Sequence, residues 1–424
     1  MKLMVIGRGG REHSLIQTLA KSSQAEKIYA VPGNAGMEEE AVRVPIEETD
    51  HEQLVAFAKE NDIDLTIIGP ENPLLDGLSD AFQSAGLKVF GPSKKAALIE
   101  GSKHFAKQIM QKYQIPTADY AAFTDAEKAK QYIQEKGAPI VVKADGLAAG
   151  KGVVVAETAE QAMEAAEDML INGQFGSASK EIVVEEFLEG EEFSLMAFVN
   201  GSAVYPMVSA KDHKRAFEGD KGPNTGGMGA FAPVPDLPEG SYQTAVESIL
   251  QPTADAMVKE GRPFTGILYA GLIQTDLGPK VIEFNARFGD PETQVVLPLL
   301  SNDLVQVFLD VLDGKNPELT WEKGFCAGVV VASNGYPGGY EKGRPLPVWK
   351  KQTQVFTVHA GTEKKEDSYI SSGGRVLLSG AKAAELSQAL DDVYDHLQVF
   401  DSNKDFFYRR DIGLSAISSR SRQS

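Results

Sequence analysis

A regular alternation of strand and helix over the first hundred residues is the feature that most constrains the fold of this chain. The apolar runs that predict strands lie at residues 3–7, 27–31, 65–69 and 88–90. The helical patterns between them begin near residue 11 and span 51–60 and 74–85. This alternation predicts a parallel, doubly wound sheet whose ligand loops follow the C-terminal ends of the strands.

The pattern becomes mixed from residue 139, after a further predicted helix. Helices are predicted at 121–136, 159–170, 239–259, 302–312 and 383–397. Strands are predicted at 152–156, 181–187 and 193–199, and a hairpin is predicted from 267–275 and 279–284. Several short strand-like runs follow residue 325. The chain is therefore expected to be a multi-domain α/β protein, which its 424 residues allow.

Composition narrows the class of partner and the compartment. A net charge of −18 argues against a nucleic-acid surface, so a phosphorylated substrate has to be held by locally placed cations and backbone amides. No run of about twenty apolar residues predicts a membrane span. The start MKLMVIGRGG lacks the long apolar stretch of a signal peptide. The single Cys326 lies in an apolar run, where a buried structural thiol in a reducing cytoplasm is expected.

The glycine-rich loop GRGGREH follows the first predicted strand. Gly7 and Gly9 fit a dinucleotide-binding fingerprint, but Glu12 stands where the third glycine should be. The second strand also ends without the acid that binds a ribose. The loop alone leaves two alternatives open, a phosphate seat at the helix N-terminus or a tight turn without a ligand. Asn34 and Glu71 follow neighbouring parallel strands, which favours a small phosphorylated ligand.

A second glycine loop, KADGLAAGKGV at residues 143–153, lies between two predicted strands. It is not a P-loop, because no Gly-x4-Gly-Lys-Ser/Thr leads into a helix. Its glycines each cost about 0.5–1 kcal/mol of chain entropy, which is hard to explain unless backbone approaches a ligand closely. We expect a flap over a polyphosphate, with Lys143 pointing its ammonium at the phosphates. The acidic stretch after the strand at 181–186 could bind adenosine or be a solvated turn.

The segment VIEFNARFGDPETQ carries the second strong signal. On a strand, Glu283, Asn285 and Arg287 share one face. A carboxylate and an amide oxygen suit Mg²⁺ or Mn²⁺ bound to ATP phosphates, and an arginine beside them can stabilise a transferring phosphoryl group. The alternative is an exposed edge strand on which Arg287 only pairs with Glu283.

These segments together resemble the ATP-grasp superfamily, and within it the glycinamide ribonucleotide synthetase family. The resemblance is carried by GRGGREH, KADGLAAGKGV, VVEEFLEGEEFS, VIEFNARFGDPETQ, the segment 211–230, and the C-terminal HAGT, GGRVL and YRRDIG. It covers essentially the whole chain, and residues 211–230 are its most specific part. It implies an N-terminal substrate-binding domain at 1–100, an ATP-grasp domain at 101–325 with a mobile small lobe at about 121–190, and a small α+β domain at 326–424.

The resemblance implies a Mg²⁺- or Mn²⁺-dependent ligase of purine biosynthesis that uses ATP to join glycine to 5-phosphoribosylamine. Glycine would first become glycyl phosphate, which the sugar amine would attack to give glycinamide ribonucleotide. The implied partners are these small molecules, without nucleic acid or membrane, and a transient contact with the enzyme that supplies phosphoribosylamine stays open. The alternatives are another ATP-grasp ligase or biotin-carboxylase-like enzyme, an oxidoreductase, and a non-catalytic nucleotide-binding regulator.

The resemblance also assigns site residues by motif position. Phosphates would be held by Lys103 and Lys143, with Gly146, Gly150 and Gly152 in the flap; adenine by Glu185, Phe187 and Leu188; ribose by Glu192; and the metal by Glu283 and Asn285. Glycine and its activated form would be served by Arg287 and Asp212, and phosphoribosylamine bound by Gly10, Asn34, Glu71, Thr225, Gly226, Gly227 and Met228. Lys143, Asp212 and Arg287 are the implied catalytic residues. Many superfamily members carry a second metal-binding glutamate on the preceding strand, and residues 267–275 have none.

Overall fold

The N-terminal part of the chain is the parallel sheet that its alternating pattern predicts. The computed structural model describes residues 1–147, 152–350 and 352–420. The first five strands are β1 (Lys2–Gly7), β2 (Lys27–Pro32), β3 (Val42–Arg43), β4 (Leu65–Ile68) and β5 (Val89–Phe90). All pair in parallel, in the order β3-β2-β1-β4-β5. Side chains of β1 alternate between two cores, Met4 and Ile6 in one and Leu3 and Val5 in the other, as expected of a sheet covered on both faces.

Glycine and serine set two of the helix boundaries around this sheet. They are α1 (Gly10–Leu19), α2 (His51–Glu60), α3 (Glu71–Asp76), α4 (Leu78–Ser84), α5 (Lys94–Gly101) and α6 (Lys103–Lys112). The prediction of one helix over 74–85 is wrong, because Gly77 at φ +94° separates α3 from α4 in a left-handed conformation. Ser102 caps α6 by accepting from the amide of Phe105. This cap places Lys103 in the first turn of α6.

A small antiparallel sheet follows, backed by two helices. Its elements are β6 (Tyr120–Phe123), α7 (Ala126–Lys136), β7 (Ile140–Ala144), β8 (Val153–Ala156), α8 (Ala159–Leu170) and β9 (Ile182–Glu186). The strand order is β6-β9-β7-β8. The predicted helix at 121–136 is therefore wrong over its first part, because Tyr120–Phe123 pairs with β9 and Asp125 starts α7 by accepting from the amide of Lys128. Long-range pairing outweighs local propensity here.

The next elements build a larger antiparallel sheet and the arm that leaves it. They are β10 (Glu191–Asn200), β11 (Ala203–Pro206), β12 (Lys211–Asp212), β13 (Arg215–Phe217), β14 (Lys221–Asn224), β15 (Gly229–Ala232), α9 (Ser241–Ala245), α10 (Gln251–Lys259), β16 (Thr265–Thr275) and β17 (Gly278–Asn285). The larger sheet has the order β11-β10-β16-β17 and contains the predicted hairpin. A π-helical turn, Val246–Leu250, joins α9 to α10 just before Pro252, which has no N–H for an ordinary helical bond.

The C-terminal region contributes a third antiparallel sheet that also takes in the specific segment 211–230. The remaining elements are α11 (Thr293–Val296), α12 (Leu304–Leu312), β18 (Phe325–Ser333), β19 (Val355–His359), β20 (Thr362–Lys365), β21 (Ser368–Ser371), β22 (Arg375–Ala383), α13 (Leu386–Leu397), β23 (Phe406–Phe407) and α14 (Leu414–Arg420). The sheet order is β12-β15-β18-β22-β19, and β23 pairs with β18. The helix predicted from residue 383 begins at Leu386, because β22 extends to Ala383.

Short 3-10 turns complete the described elements. They are Ala35–Glu39, Gly176–Lys180, Leu297–Leu299 and Gln398–Phe400. Two further pairings join neighbouring segments of the chain, β13 with β14 and β20 with β21. Across the described ranges, no helix has the length and apolar character needed to span a membrane. Cys326 is fully buried in β18, as its apolar surroundings predict.

Candidate active site

Lys143 connects the small sheet to the larger one. It lies on β7 and is 5% exposed. Its ammonium donates to Oε2 of Glu185 at 3.0 Å and to the carbonyl of Ile282 at 3.1 Å. Gly271 pairs with Glu283 and Leu272 with Val281, so Ile282 is the extra residue of a β-bulge in β17. A bulge frees backbone groups from the ladder, and Lys143 takes up the carbonyl that this one provides.

Lys103, in the first turn of α6, contacts the glycine loop. Its ammonium donates to the carbonyl of Gly146 at 3.1 Å. Burial lowers the pKa of Lys103, and the nearby Lys143 lowers it further, while Glu283 opposes both. The carboxylate of Asp145 ties the same loop to the N-terminus of α6, because it accepts from the His104 amide at 2.7 Å. Two ammonium groups are thus brought to the base of the loop.

The structure describes two of the three glycines predicted for the flap. A Cβ on Gly146 would lie 2.8 Å from the Cβ of Ala178, so this glycine allows a close approach between the loop and a neighbouring turn. Gly152 is buried and immediately precedes β8. Gly150 lies outside the described residues.

The residues predicted to meet adenosine lie around the connection from β9 to β10. Glu185 is 4% exposed, and its carboxylate faces Lys143 and Lys107, each with its ammonium 3.0 Å from Oε2. Phe187 and Leu188 are half-buried in the segment that joins the two sheets. Glu192 pairs with Lys214 across 3.3 Å. The Glu185 side chain therefore belongs with the cations at the base of the loop.

Arg287 lies in a network of acids that the sequence did not predict. Its Nη2 is 3.0 Å from Oε1 of Glu100, and its Nε is 3.3 Å from Oε2 of Glu71. The Nη2 also donates to Oδ1 of Asn285 at 3.4 Å. The alternative of an exposed pair with Glu283 is wrong, because the Arg287 side chain is only 17% exposed and its ion pairs are with acids from α3 and α5.

The charge of Arg287 affects the pKa of the acids around it. Burial would raise the pKa of Glu71, but Arg287 and Arg11 outweigh it and lower the pKa to about 2. Burial raises the pKa of Glu100, although Arg287 opposes the shift. Oε2 of Glu100 also accepts from the amide of Ala286 at 2.7 Å. The end of β17 is therefore anchored to the N-terminal helices by ion pairs and a backbone hydrogen bond.

Glu283 and Asn285 fit a divalent cation by the chemistry of their donor atoms. Burial would raise the pKa of Glu283, but the charges of Lys214, Lys143, Lys103 and Arg287 lower it overall, so the carboxylate stays ionised. Two oxygen donors of this kind match the preference of Mg²⁺. Opposite Glu283 lies Gly271, whose added Cβ would be 3.2 Å from Cγ of Glu283. In the described parts of the chain, no three His, Cys, Asp or Glu side chains form a metal cluster.

Asp212 on β12 lies near a second group of polar residues. Burial raises the pKa of Asp212 to about 7, with Lys214 opposing the shift and Glu292 adding to it. The Asp212 carboxylate in turn raises the pKa of Lys214 well above its usual value. Oε1 of Glu292 accepts from the hydroxyls of Tyr269 and Ser194, and these two hydroxyls are 2.9 Å apart.

Several of these polar residues were missed at the sequence level. A signal existed for three of them. Lys214 follows Asp212 at the two-residue spacing of a strand face, Glu292 lies within the quoted motif FGDPETQ, and Lys107 follows Lys103 by one helical turn.

Glu12, the residue that breaks the dinucleotide fingerprint, packs against the N-terminal glycine loop. Glu12 is 1% exposed, and its Oε2 accepts from the amide of Gly9 at 2.7 Å. A Cβ on Gly69 would lie 1.9 Å from Oε1 of Glu12. The carboxylate thus fills the space beneath the loop. Gly10 begins α1, and a Cβ there would lie 2.7 Å from Nε2 of Gln294.

Asn34 joins the N-terminal loops to the C-terminal HAGT segment. Its Oδ1 accepts from the amide of Gly36 at 2.9 Å. Its Nδ2 donates to the carbonyl of Arg8 at 2.8 Å and to that of His359 at 3.1 Å. The Asn34 side chain therefore forms hydrogen bonds with backbone groups of the surrounding loops. In this structure its role is to hold those loops together.

Residues 225–228 are held against the FGDPETQ turn by an arginine from the GGRVL segment. Nη1 of Arg375 donates to the carbonyl of Gly226 at 2.7 Å, and Nη2 donates to Oδ2 of Asp290 at 2.9 Å. A Cβ on Gly227 would lie 2.4 Å from Cδ of Pro291. Oγ1 of Thr225 donates to the carbonyl of Lys214 at 2.8 Å, and Met228 is fully buried.

A buried histidine of the 211–230 segment predicts a pH effect on stability. Burial lowers the pKa of His213 to about 4, from 6.5, and Arg409 adds to the shift. The unfolded chain takes up a proton below pH 6.5 and the folded chain does not until about pH 4, so stability is lost as the pH falls between these values. We expect His213→Gln to reduce the pH slope of unfolding free energy in this window by about 1.4 kcal/mol per unit. Urea unfolding at pH 6.0 and 4.5 measures it, with His51→Gln as the control; an unchanged slope would contradict the assignment.

The site combines a small antiparallel sheet whose Lys143 contacts the larger antiparallel sheet, a glycine-rich connection from β7 to β8, and Glu283 and Asn285 on β17 with Arg287 just beyond it. These features define an ATP-grasp enzyme. The chain belongs to the phosphoribosylglycinamide synthetase family. Models of that family's N domain, ATP-grasp domain and C domain match residues 1–100, 101–293 and 326–415. The predicted fold class is confirmed.

Relatives along the whole chain agree with this family. A phosphoribosylamine–glycine ligase of Halalkalibacterium halodurans is 56% identical over 421 residues, 99% of this chain and 98% of that protein. The crystal structure of the Thermotoga maritima ligase superposes with a TM-score of 0.85 at 33% identity, over 97% of this chain and 100% of that one. The chain therefore has phosphoribosylamine–glycine ligase activity, a step of purine biosynthesis, as predicted.

A more distant structure shares the fold alone. The biotin carboxylase domain of a Hydrogenobacter thermophilus 2-oxoglutarate carboxylase, crystallised with MgADP and bicarbonate, has a TM-score of 0.70 at 16% identity. It covers 94% of this chain, and this chain covers 89% of it. The likeness extends the ATP-grasp architecture beyond the family without bearing on the substrate.

Proposed function

We propose that the two lysines at the base of the glycine loop hold the phosphates of ATP. Lys103 and Lys143 are held there by the carbonyls of Gly146 and Ile282, and this is the observation that carries the proposal. Gly146, Gly150 and Gly152 would form the flap over the phosphates. The segment with Glu185, Phe187 and Leu188 would line adenine, and Glu192 would take the ribose hydroxyls.

The proposed chemistry activates the carboxylate of glycine. A carboxylate oxygen attacks the γ-phosphorus and ADP leaves, which gives glycyl phosphate. The amine of phosphoribosylamine then attacks the carbonyl carbon, and phosphate leaves with that carboxylate oxygen. Arg287 would stabilise the charge of the transferring phosphoryl group. Asp212, with its pKa raised to about 7 by burial, is suited to accept the proton that the amine loses.

Phosphoribosylamine would bind where the N-terminal strand ends meet the 211–230 segment. Gly10 packs against Gln294, which donates to Asp290 at 2.7 Å, and Asp290 is tied to Gly226 through Arg375. Glu71 faces the same junction through Arg287 and Arg11. The remaining proposed contacts are Asn34, Thr225, Gly227 and Met228. The convergence of loops that are far apart in sequence supports this placement.

Glu283 and Asn285 would hold Mg²⁺ or Mn²⁺, which when bound neutralises charge on the ATP phosphates. We expect Glu283→Gln to raise the metal concentration for half-maximal activity by about tenfold or more, since even residues that only support metal ligands cost about 10–100-fold. Activity titrations with MgCl₂ and MnCl₂, with Mn²⁺ binding followed by electron paramagnetic resonance, measure it. Glu260→Gln, a surface acid paired with Lys112, is the matched control. Equal metal dependence in both variants would remove Glu283 from the site.

The domain boundaries at 100 and 325, and a small lobe at about 121–190 that moves, are part of the proposal. The small sheet and its two helices enclose a core of their own, which supports a separate lobe. β15 pairs with β18, so sheet pairing crosses the second boundary. We also propose a cytoplasmic enzyme, supported by the buried thiol of Cys326, whose pKa burial raises.

A further inference from the structure

Lys107 is a buried cation beside the proposed ATP site. Its side chain is 2% exposed, and its ammonium lies 3.0 Å from Oε2 of Glu185. The same ammonium donates to Oγ1 of Thr117 at 2.9 Å and to the carbonyl of Ala118 at 3.3 Å. All three of its N–H groups are thereby used inside the protein. Lys107 is held in place by these contacts and is not arranged as a phosphate ligand.

One oxygen of Glu185 is shared between two lysines. The ammonium groups of Lys107 and Lys143 each lie 3.0 Å from Oε2. Burial lowers the pKa of Lys107 to about 8, with Glu185 opposing the shift, so Lys107 is protonated at neutral pH. Glu185, Lys107 and Lys143, called the trio below, therefore carry one net positive charge in a buried setting. A buried charge is costly unless an opposite charge is near it, and a phosphate supplies that charge.

The trio also links the elements that would enclose the nucleotide. Lys107 lies on α6 one turn after Lys103, and Thr117 donates to the carbonyl of Val281 at 2.7 Å. Lys143 donates to the carbonyl of Ile282, which precedes Glu283 on β17. Helix α6, the small sheet and the proposed metal-binding strand thus meet around a single carboxylate.

We propose that Lys107 is a positioning residue that neutralises Glu185, so that Lys143 keeps its charge for the phosphates of ATP. Without Lys107, Glu185 would pair with Lys143 alone, and the trio would lose its net charge. The inference rests on the proposed role of Lys143. It makes Glu185 the carboxylate that aligns the phosphate-binding cation.

The test compares Lys107→Met, Glu185→Gln and the double variant with the parent enzyme. We expect Lys107→Met to raise the KM for ATP by about tenfold or more with a smaller change in kcat, the scale of a lost charge-assisted contact. The double variant removes the competing carboxylate, so its KM for ATP should lie within about threefold of that of Glu185→Gln, because mutations acting through one group are not additive. A purely structural role of Lys107 would instead add its loss to that of Glu185→Gln.

Binding measurements distinguish a loss of phosphate contacts from a loss of the fold. By isothermal titration, Lys107→Met should weaken ATP and ADP and leave adenosine unchanged. If Lys107→Met does not fold, the double variant compared with Glu185→Gln still decides, since neither leaves a carboxylate unpaired. An unchanged KM for ATP in Lys107→Met, or a double variant about tenfold worse than Glu185→Gln, overturns the inference. Lys143→Met separates the inference about Lys107 from the proposed function on which it rests. If Lys143→Met leaves the KM for ATP unchanged, the proposed phosphate-binding role of Lys143 itself fails.

Discussion

Replacing Arg287 by lysine is expected to lower kcat by about a hundredfold or more, the scale of losing one preorganised donor that stabilises charge. The guanidinium spans Glu71, Glu100 and Asn285 at once. A lysine ammonium is a point charge and cannot reproduce that planar set of contacts. The KM for ATP should change little, because Lys103 and Lys143, the proposed phosphate ligands, are held by the carbonyls of Gly146 and Ile282. Steady-state kinetics with ATP and glycine varied in turn measure both quantities.

Arg410→Lys is the matched control for this experiment. Arg410 is 58% exposed and pairs with Asp401 at 2.6 Å, so its replacement should be nearly silent, as surface pairs contribute about 0–1 kcal/mol. Arg287→Met would separate charge from geometry. It leaves Glu71 and Glu100 without their shared cation, and breaking a buried pair costs about 3–5 kcal/mol of stability. A kcat for Arg287→Lys within about threefold of the parent, against the expected loss, would make Arg287 a structural link only.

Lys143→Ala is expected to lower kcat/KM for ATP by about 30- to 1000-fold, which corresponds to about 2–4 kcal/mol of transition-state stabilisation. The ammonium links the small sheet to the bulge carbonyl of Ile282 and faces the base of the glycine loop. Its loss also leaves Glu185 with Lys107, which keeps that carboxylate paired and the fold intact. Initial rates of ADP release at varied ATP measure the effect, with circular dichroism to check the fold.

Lys130→Ala provides the comparison within the same part of the chain, the small sheet and its two helices. Lys130 on α7 pairs at 2.7 Å with the exposed Glu167 on α8, within the two helices that back the small sheet. Its kinetics should equal those of the parent. If Lys143→Ala and Lys130→Ala have the same kcat/KM for ATP, Lys143 does not bind the phosphates.

Local sequence patterns predicted most of the helices and strands, because the boundaries of these elements are set by residues close to them in sequence. The alternation over residues 1–100 predicted four strands of the parallel sheet, since most of the strands and helices there are bounded by a glycine, a proline or a side-chain cap. The two-residue β3 has no such boundary and was not predicted. The helix predicted at 121–136 failed over its first part because Tyr120–Phe123 pairs with a strand some sixty residues later. No local propensity contains that pairing.

The site shows the same division. Glu283, Asn285 and Arg287 could be found because they share a strand and its extension. The pairing of Arg287 with Glu71 and Glu100 could not be predicted, although Glu71 was itself a candidate site residue. Both acids come from the N-terminal helices and meet Arg287 only in the folded chain. The Glu185 carboxylate illustrates the limit: its motif suggested adenosine, while the structure places it between two lysines whose approach depends on packing α6 against the small sheet.

The fate of a glycine oxygen tests the proposed glycyl phosphate route most directly. The enzyme is supplied with ATP, Mg²⁺, phosphoribosylamine and glycine labelled with ¹⁸O in its carboxylate, and the released phosphate is analysed by mass spectrometry. Attack of the carboxylate on the γ-phosphorus predicts one labelled oxygen in each phosphate, and no ADP when glycine is omitted. Unlabelled phosphate, with full formation of glycinamide ribonucleotide, would contradict activation of the glycine carboxylate.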